Sequence, residues 1–136
     1  MRVKDAMSPI SAIVGPQHTL EQAAKRMVQY ATGAAVVLDG SLPGPAVVTE
    51  RDLLRAVGAG LNPATEYVED HMTGEVVTAA PDWGIADAAA VMVNHGVRHV
   101  LVFDASELVG ILSMRDVVRV GGFAVIASVE TAGARG

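Results

Sequence analysis

Apolar and polar positions follow helical spacing in two stretches of the chain. Leu20, Ala23, Ala24, Met27 and Val28 fall at i, i+3, i+4, i+7 and i+8, and Ile85, Ala88, Ala89, Met92 and Val93 repeat the run. This is the apolar stripe of a helix with one buried face. Thr19 and Gln22 form a capping box for the first helix. The second lacks that pair, so Asp82 or Gly84 begins it. A short apolar run follows each helix, at 34–38 and 100–103, and each meets an aspartate, Asp39 or Asp104, and a turn. The first turn, Gly40-Ser41-Leu42-Pro43-Gly44-Pro45, is rich in glycine and proline and reads as a loop. A second apolar strand then feeds a second helix in both places.

These parallels are an internal repeat. At a shift of 65 residues, Val3-x-Asp5-x-Met7 falls on Val68-x-Asp70-x-Met72, and Pro16 falls on Pro81. The second turn is one residue shorter, so beyond it the shift is 64 and Leu53-Leu54-Arg55 matches Val117-Val118-Arg119. Each half reads strand, helix, strand, strand, helix. Residues 1–62 are read as the first repeat with its linker and 63–122 as the second, the halves being joined across 58–63. Residues 123–136 are expected to be a partly flexible extension, apolar enough over 123–129 to dock and a loose tail over 131–136. A half of about 60 residues is marginal alone. Two such halves are expected to pack face to face about a pseudo-twofold axis, in a mixed α/β (α+β) fold.

Composition narrows the classes. The chain is 51% hydrophobic and 18% charged, enough for a core and too weakly charged for disorder. With no cysteine it has no disulfide, thiolate metal site or thiol nucleophile. A net charge of -5 without a basic stripe argues against nucleic-acid binding. No apolar run nears the roughly 20 residues that span a bilayer, and the start lacks the pattern of a signal peptide. A soluble cytoplasmic protein without membrane partners is expected. His18, His71, His95 and His99 show no ligand spacing, so no metal is expected. Trp83, after Pro81-Asp82, reads as a packing residue. Met27 and Met92 read as core.

The chemistry lies where the second strand meets the second helix. The first copy reads Ala46-Val47-Val48-Thr49-Glu50-Arg51-Asp52 and the second Gly110-Ile111-Leu112-Ser113-Met114-Arg115-Asp116. A hydroxyl three residues before an aspartate is a helix cap. Yet arginine precedes the aspartate both times, which a cap does not need, and Arg98-His99 adds a positive pair to the second half. A carboxylate accepts both hydroxyls of a ribose, while helix N–H groups, a hydroxyl and arginine suit phosphate oxygens. Val47 and Ile111 offer an apolar wall to a base. Cap and ligand site are compatible readings.

The chain resembles a tandem pair of CBS domains, the module named after cystathionine beta-synthase and also called a Bateman module. The resemblance covers roughly residues 3–120. It rests on the Val-x-Asp-x-Met openings, on His95-Gly96-Val97-Arg98-His99-Val100-Leu101-Val102, and on the Gly110 to Asp116 phrase. That phrase fits the family's Gly-apolar-apolar-Ser/Thr-x-x-Asp signature at every position. The resemblance implies adenosine-containing ligands bound between the halves. Asp52 and Asp116 would hold ribose diols, Thr49, Arg51, Ser113 and Arg115 would lie near phosphates with Arg98 and His99, and Val47 and Ile111 would touch adenine. The opening segment of one half would complete the site of the other. Residues 7–10, with Pro9 and Ile10, would serve Asp116, and 72–76, with Gly74 and Val76, would serve Asp52.

The first copy departs from the signature. Ala46 stands where glycine is usual, restricting close approach, and Gly33-Ala34 replaces the Arg98-His99 pair. Glu50 adds negative charge beside Asp52. The Asp116 site is therefore expected to be the stronger one. The repeat fills nearly all of the sequence, so no separate catalytic domain is expected, and no nucleophile–base pair or phosphate loop is present. The expectation is a stand-alone, non-enzymatic regulatory module, a homodimer, signalling to a separate effector protein. Its regulatory ligand would be AMP, ADP, ATP or S-adenosylmethionine, with no cofactor required. The rival readings are a dimeric structural adaptor with degenerate nucleotide sites and, more weakly, an enzyme acting on a bound nucleotide.

Overall fold

The computed structural model describes residues 1–121; the expectations for 123–136 lie outside the described residues. The described chain forms two compact units, Ser11–Val76 and Met1–Ile10 with residues 77–121. Each unit holds one three-stranded sheet among the described residues. No described helix is long and apolar enough to cross a membrane.

In the Ser11–Val76 unit the order is β1 (Ile13–Val14), α2 (Leu20–Gln29), β2 (Ala34–Val37), β3 (Ala46–Thr49) and α3 (Glu50–Gly58), after the short helix α1 (Val3–Ala6) of the other unit. Strand β2 lies between β1, parallel to it, and β3, antiparallel. Strand alternation sends Ala35, Val37, Ala46 and Val48 into a core with Leu20, Ala23 and Met27 of α2 and Ala56 of α3. Burying a side chain such as Leu20 contributes about 1.5–3 kcal/mol. Thr19 and Gln22 make the expected capping box. After β2, the Asp39 carboxylate accepts hydrogen bonds from the hydroxyl and N–H of Ser41. These hold its carboxyl below the ordinary value.

The second unit repeats the plan with β4 (Thr78–Ala79), α4 (Ile85–His95), β5 (His99–Asp104), β6 (Glu107–Ser113) and α5, described over 114–121. Again the middle strand, β5, pairs parallel with β4 and antiparallel with β6. Its core gathers Val3, Ala6, Ile85, Ala88, Ala89, Met92, Val100, Val102, Leu112 and Val117. Gly84 begins α4 without a side-chain cap, and Gly96 ends it at φ 64°, a left-handed conformation that glycine takes without penalty. The strand–helix–strand–strand–helix order expected of each repeat is present in both units.

Three details differ from expectation. The buried stripe is narrower: Leu20, Ala23 and Met27 are buried, but Val28 is 80% exposed and Val93 39%. At 100° per residue Val28 points roughly 100° from the centre of the buried trio, beyond the packed arc. Gly58 is the last residue of α3 rather than the first of a linker. Trp83 is 38% exposed, less enclosed than a core residue, and its backbone carbonyl accepts the N–H of Val3.

That bond shows how the opening segments are used. Val3 N–H reaches Trp83 O at 2.9 Å and Lys4 N–H reaches Pro81 O at 3.0 Å. Sixty-five residues on, Val68 N–H reaches His18 O at 2.8 Å and Glu69 N–H reaches Pro16 O at 2.9 Å. Each sequence repeat thus lends its opening segment to the body of the other, and the compact units differ from the repeats by that exchange.

Candidate functional site

Asp116 is the only buried charged side chain among the described residues, at 5% exposure. It sits in the first turn of α5, three residues after Ser113. Its Oδ2 accepts the Ser113 N–H at 2.9 Å, and its own N–H donates to Ser113 Oγ at 3.0 Å. Its Oδ1 accepts a hydrogen bond from Arg119 Nη2 at 2.8 Å, an ion pair one turn along the helix. Burying a carboxylate is costly unless it is paired and hydrogen-bonded, and here both oxygens are engaged. Among the described residues, Ser113 Oγ is an acceptor only, so its own proton remains available to donate.

The matched first copy is built the same way up to the pair. Thr49 N–H donates to Asp52 Oδ2 at 2.8 Å, and Asp52 N–H to Thr49 Oγ1 at 3.4 Å. Thr49 Oγ1 lies 3.1 Å from Asp52 Oδ2 and spends its proton there. Asp52 is half-buried rather than buried. Arg55 occupies the place of Arg119, yet no ion pair joins it to Asp52. The capping role expected of both phrases is therefore present in full.

Register fixes what stands beside each aspartate. His99 pairs with Ser113, and Leu101 with Ile111, so these four side chains share the sheet face opposite the core face of Val100, Val102 and Leu112. In the first copy the same places hold Ala34, Thr49, Val36 and Val47. An imidazole thus stands on one face and a methyl on the other. Arg98 and Arg115 are exposed, and the Arg98 carbonyl accepts the Met114 N–H at 2.8 Å. Gly33 does the same for Glu50 at 2.9 Å but brings no side chain. Arg51 is exposed.

The opening segments complete each grouping. Ser8 forms an antiparallel bridge with Ile111, which sets Pro9, exposed, and Ile10, half-buried, next along the chain. Thr73 bridges Val47 in the same way, followed by Gly74 and Val76. One expectation is revised here. A Cβ on Gly110 would lie 2.8 Å from Met7 Sδ and 3.0 Å from Ser8 O. The glycine makes room for the chain's own opening segment, so Ala46 is not by itself an obstacle to a ligand. The Ala46 methyl is buried in the core of its unit.

Arg119 was not singled out from the sequence as a site residue; its three-residue spacing from Asp116 on one helix face was the available signal. The remaining histidines have local roles. His18 Nδ1 accepts the Gly15 N–H at 2.7 Å, His71 pairs with Glu66 at 2.9 Å, and His95 Nδ1 lies 2.9 Å from Val91 O. No group of three or more metal-ligating side chains occurs among the described residues.

The CBS domain family model matches residues 3–59 and 68–122. The CBS domain-containing protein YhcV of Bacillus subtilis (strain 168) is 35% identical over 116 residues, 84% of this chain and 81% of its own length. A 17.7 kDa protein of Acidianus ambivalens is 34% identical over 108 residues, 79% of this chain, which spans 65% of that relative. Among solved structures, the CBS domain protein PAE2072 from Pyrobaculum aerophilum, complexed with AMP, aligns with a TM-score of 0.78 at 28% identity. That alignment covers 96% of this chain and 99% of that one.

Proposed function

The chain belongs to the CBS-domain family, and on that premise we propose that it is a regulatory module that binds an adenosine-containing ligand and signals to a separate effector protein. The observation that carries this reading is the buried carboxylate of Asp116 at the start of α5, beside the Ser8–Ile111 bridge. A carboxylate held by a helix start accepts both hydroxyls of a ribose. In this reading Ile111 lies against the base together with Pro9 and Ile10. Ser113, whose hydroxyl proton is unspent, turns to the phosphate with Arg115, Arg98 and His99. The AMP complex of PAE2072 supports the ligand class.

The Asp52 site, with Val47, Thr49, Arg51, Gly74 and Val76, is the weaker one. It lacks counterparts of Arg98 and His99, and its threonine proton is already given to Asp52. The module binds rather than transforms its ligand. It works as a homodimer, for which Leu54 and Val57, 72% and 56% exposed on α3, supply apolar surface. A bound ligand shifts the module only by its difference in affinity for two arrangements. Native mass spectrometry with AMP, ADP, ATP, S-adenosylmethionine and NAD tests the reading. One adduct that survives at micromolar ligand identifies the class, whereas no adduct with any of them favours the rival structural adaptor.

A further inference from the structure

We propose that Arg119 is a latch on Asp116, holding this site below its intrinsic affinity for a ribose and leaving the Asp52 site ungated. The inference rests on the reading of Asp116 as the ribose-binding group and adds the element that regulates it. Arg119 Nη2 lies 2.8 Å from Asp116 Oδ1 and 3.5 Å from the carbonyl of Ala6, at the end of α1. The guanidinium therefore ties the carboxylate to the opening segment. The other oxygen already accepts the Ser113 N–H. With 8% of the Asp116 side chain exposed, a diol reaches both oxygens only by displacing the arginine.

Displacement is feasible because the pair is one-sided. The Arg119 side chain is 60% exposed, so on release its guanidinium returns to water without burying a charge. The ribose hydroxyls then replace its hydrogen bond to the carboxylate. The matched Asp52 and Arg55 show that an arginine at this spacing does not pair automatically. The pair forms where the carboxylate is buried and the Ala6 carbonyl offers a second acceptor.

The test uses the full chain with Asp52→Ala to silence the other site, and adenosine as the probe, since it carries the diol without a phosphate. Calorimetry compares this protein with the Asp52→Ala, Arg119→Gln double variant. Adenosine should bind the double variant about three- to fivefold more tightly, the range of a partly exposed ion pair. Raising salt from about 50 to 500 mM should narrow that gap, because screening weakens the pair in the first protein only. Unchanged or weaker binding in a folded double variant overturns the latch while leaving the ribose reading intact. If neither protein binds adenosine or AMP, the ribose reading fails and the latch with it. A melting curve without ligand checks folding, and the salt series on Asp52→Ala alone remains decisive should the double variant not fold. Adenosine affinity that stays flat or falls with salt in that protein contradicts the latch.

Discussion

Ser8 and Ile111 exchange two backbone hydrogen bonds, N–H to carbonyl in each direction at 2.9 Å. Thr73 and Val47 do the same at 2.8 and 3.0 Å. The bridge lies one residue from Gly110 and two from Ser113, so it joins the opening segment to the strand that presents the candidate site.

Gly110→Ala tests that junction. The added methyl would meet Met7 Sδ, which can swing aside, and Ser8 O, which belongs to the bridge and cannot yield freely. Overpacking of this kind costs about 1–3 kcal/mol. Urea unfolding should show a lower midpoint with an unchanged slope. Ala46→Gly, at the matched place, should lower stability by no more than about 1 kcal/mol.

Ser113→Ala separates capping from phosphate binding. Loss of the acceptor for the Asp116 N–H should cost about 1 kcal/mol of stability, and Thr49→Ala a similar amount. Only Ser113→Ala should also weaken AMP binding while leaving adenosine binding nearly unchanged. Calorimetry with both ligands reads the difference.

The helix stripes give a test of packing alone. Met92 is fully buried, and Met92→Ala should cost about 2–5 kcal/mol. Val28→Ser, at an 80% exposed position of the first helix stripe, should stay within about 0.5 kcal/mol of wild type. Thermal melts of the two variants should differ by many degrees.

Much of this fold is legible in the sequence because the repeat states it twice. Spacing at Leu20, Ala23 and Met27, the Thr19–Gln22 cap and the two hydroxyl–x–x–Asp phrases each act through neighbours only a few residues away. What was not legible depends on distant partners. The exposure of Val28 follows from the width of the packed arc rather than from its own apolar character. The need for glycine at 110 comes from Met7 and Ser8, about a hundred residues earlier in the chain, and local reasoning assigned it to a ligand instead. The sequence already favours the Asp116 phrase over the Asp52 phrase, through Arg98-His99 against Gly33-Ala34. What it does not show is burial and pairing: Asp116 is buried and bonded to Arg119, whereas Asp52 is half-buried and makes no ion pair with Arg55.

Thermal unfolding with and without AMP shows whether Asp116 binds the ribose of an adenosine ligand. At about 100 times its dissociation constant AMP adds roughly 2.7 kcal/mol, a rise of several degrees for a chain of this size. If Asp116 holds the ribose, the wild type shows that rise, and Asp116→Ala, melting cooperatively without ligand, shows a markedly smaller one. An undiminished rise in Asp116→Ala would contradict this role, as would no rise in the wild type with AMP, ADP, ATP or S-adenosylmethionine.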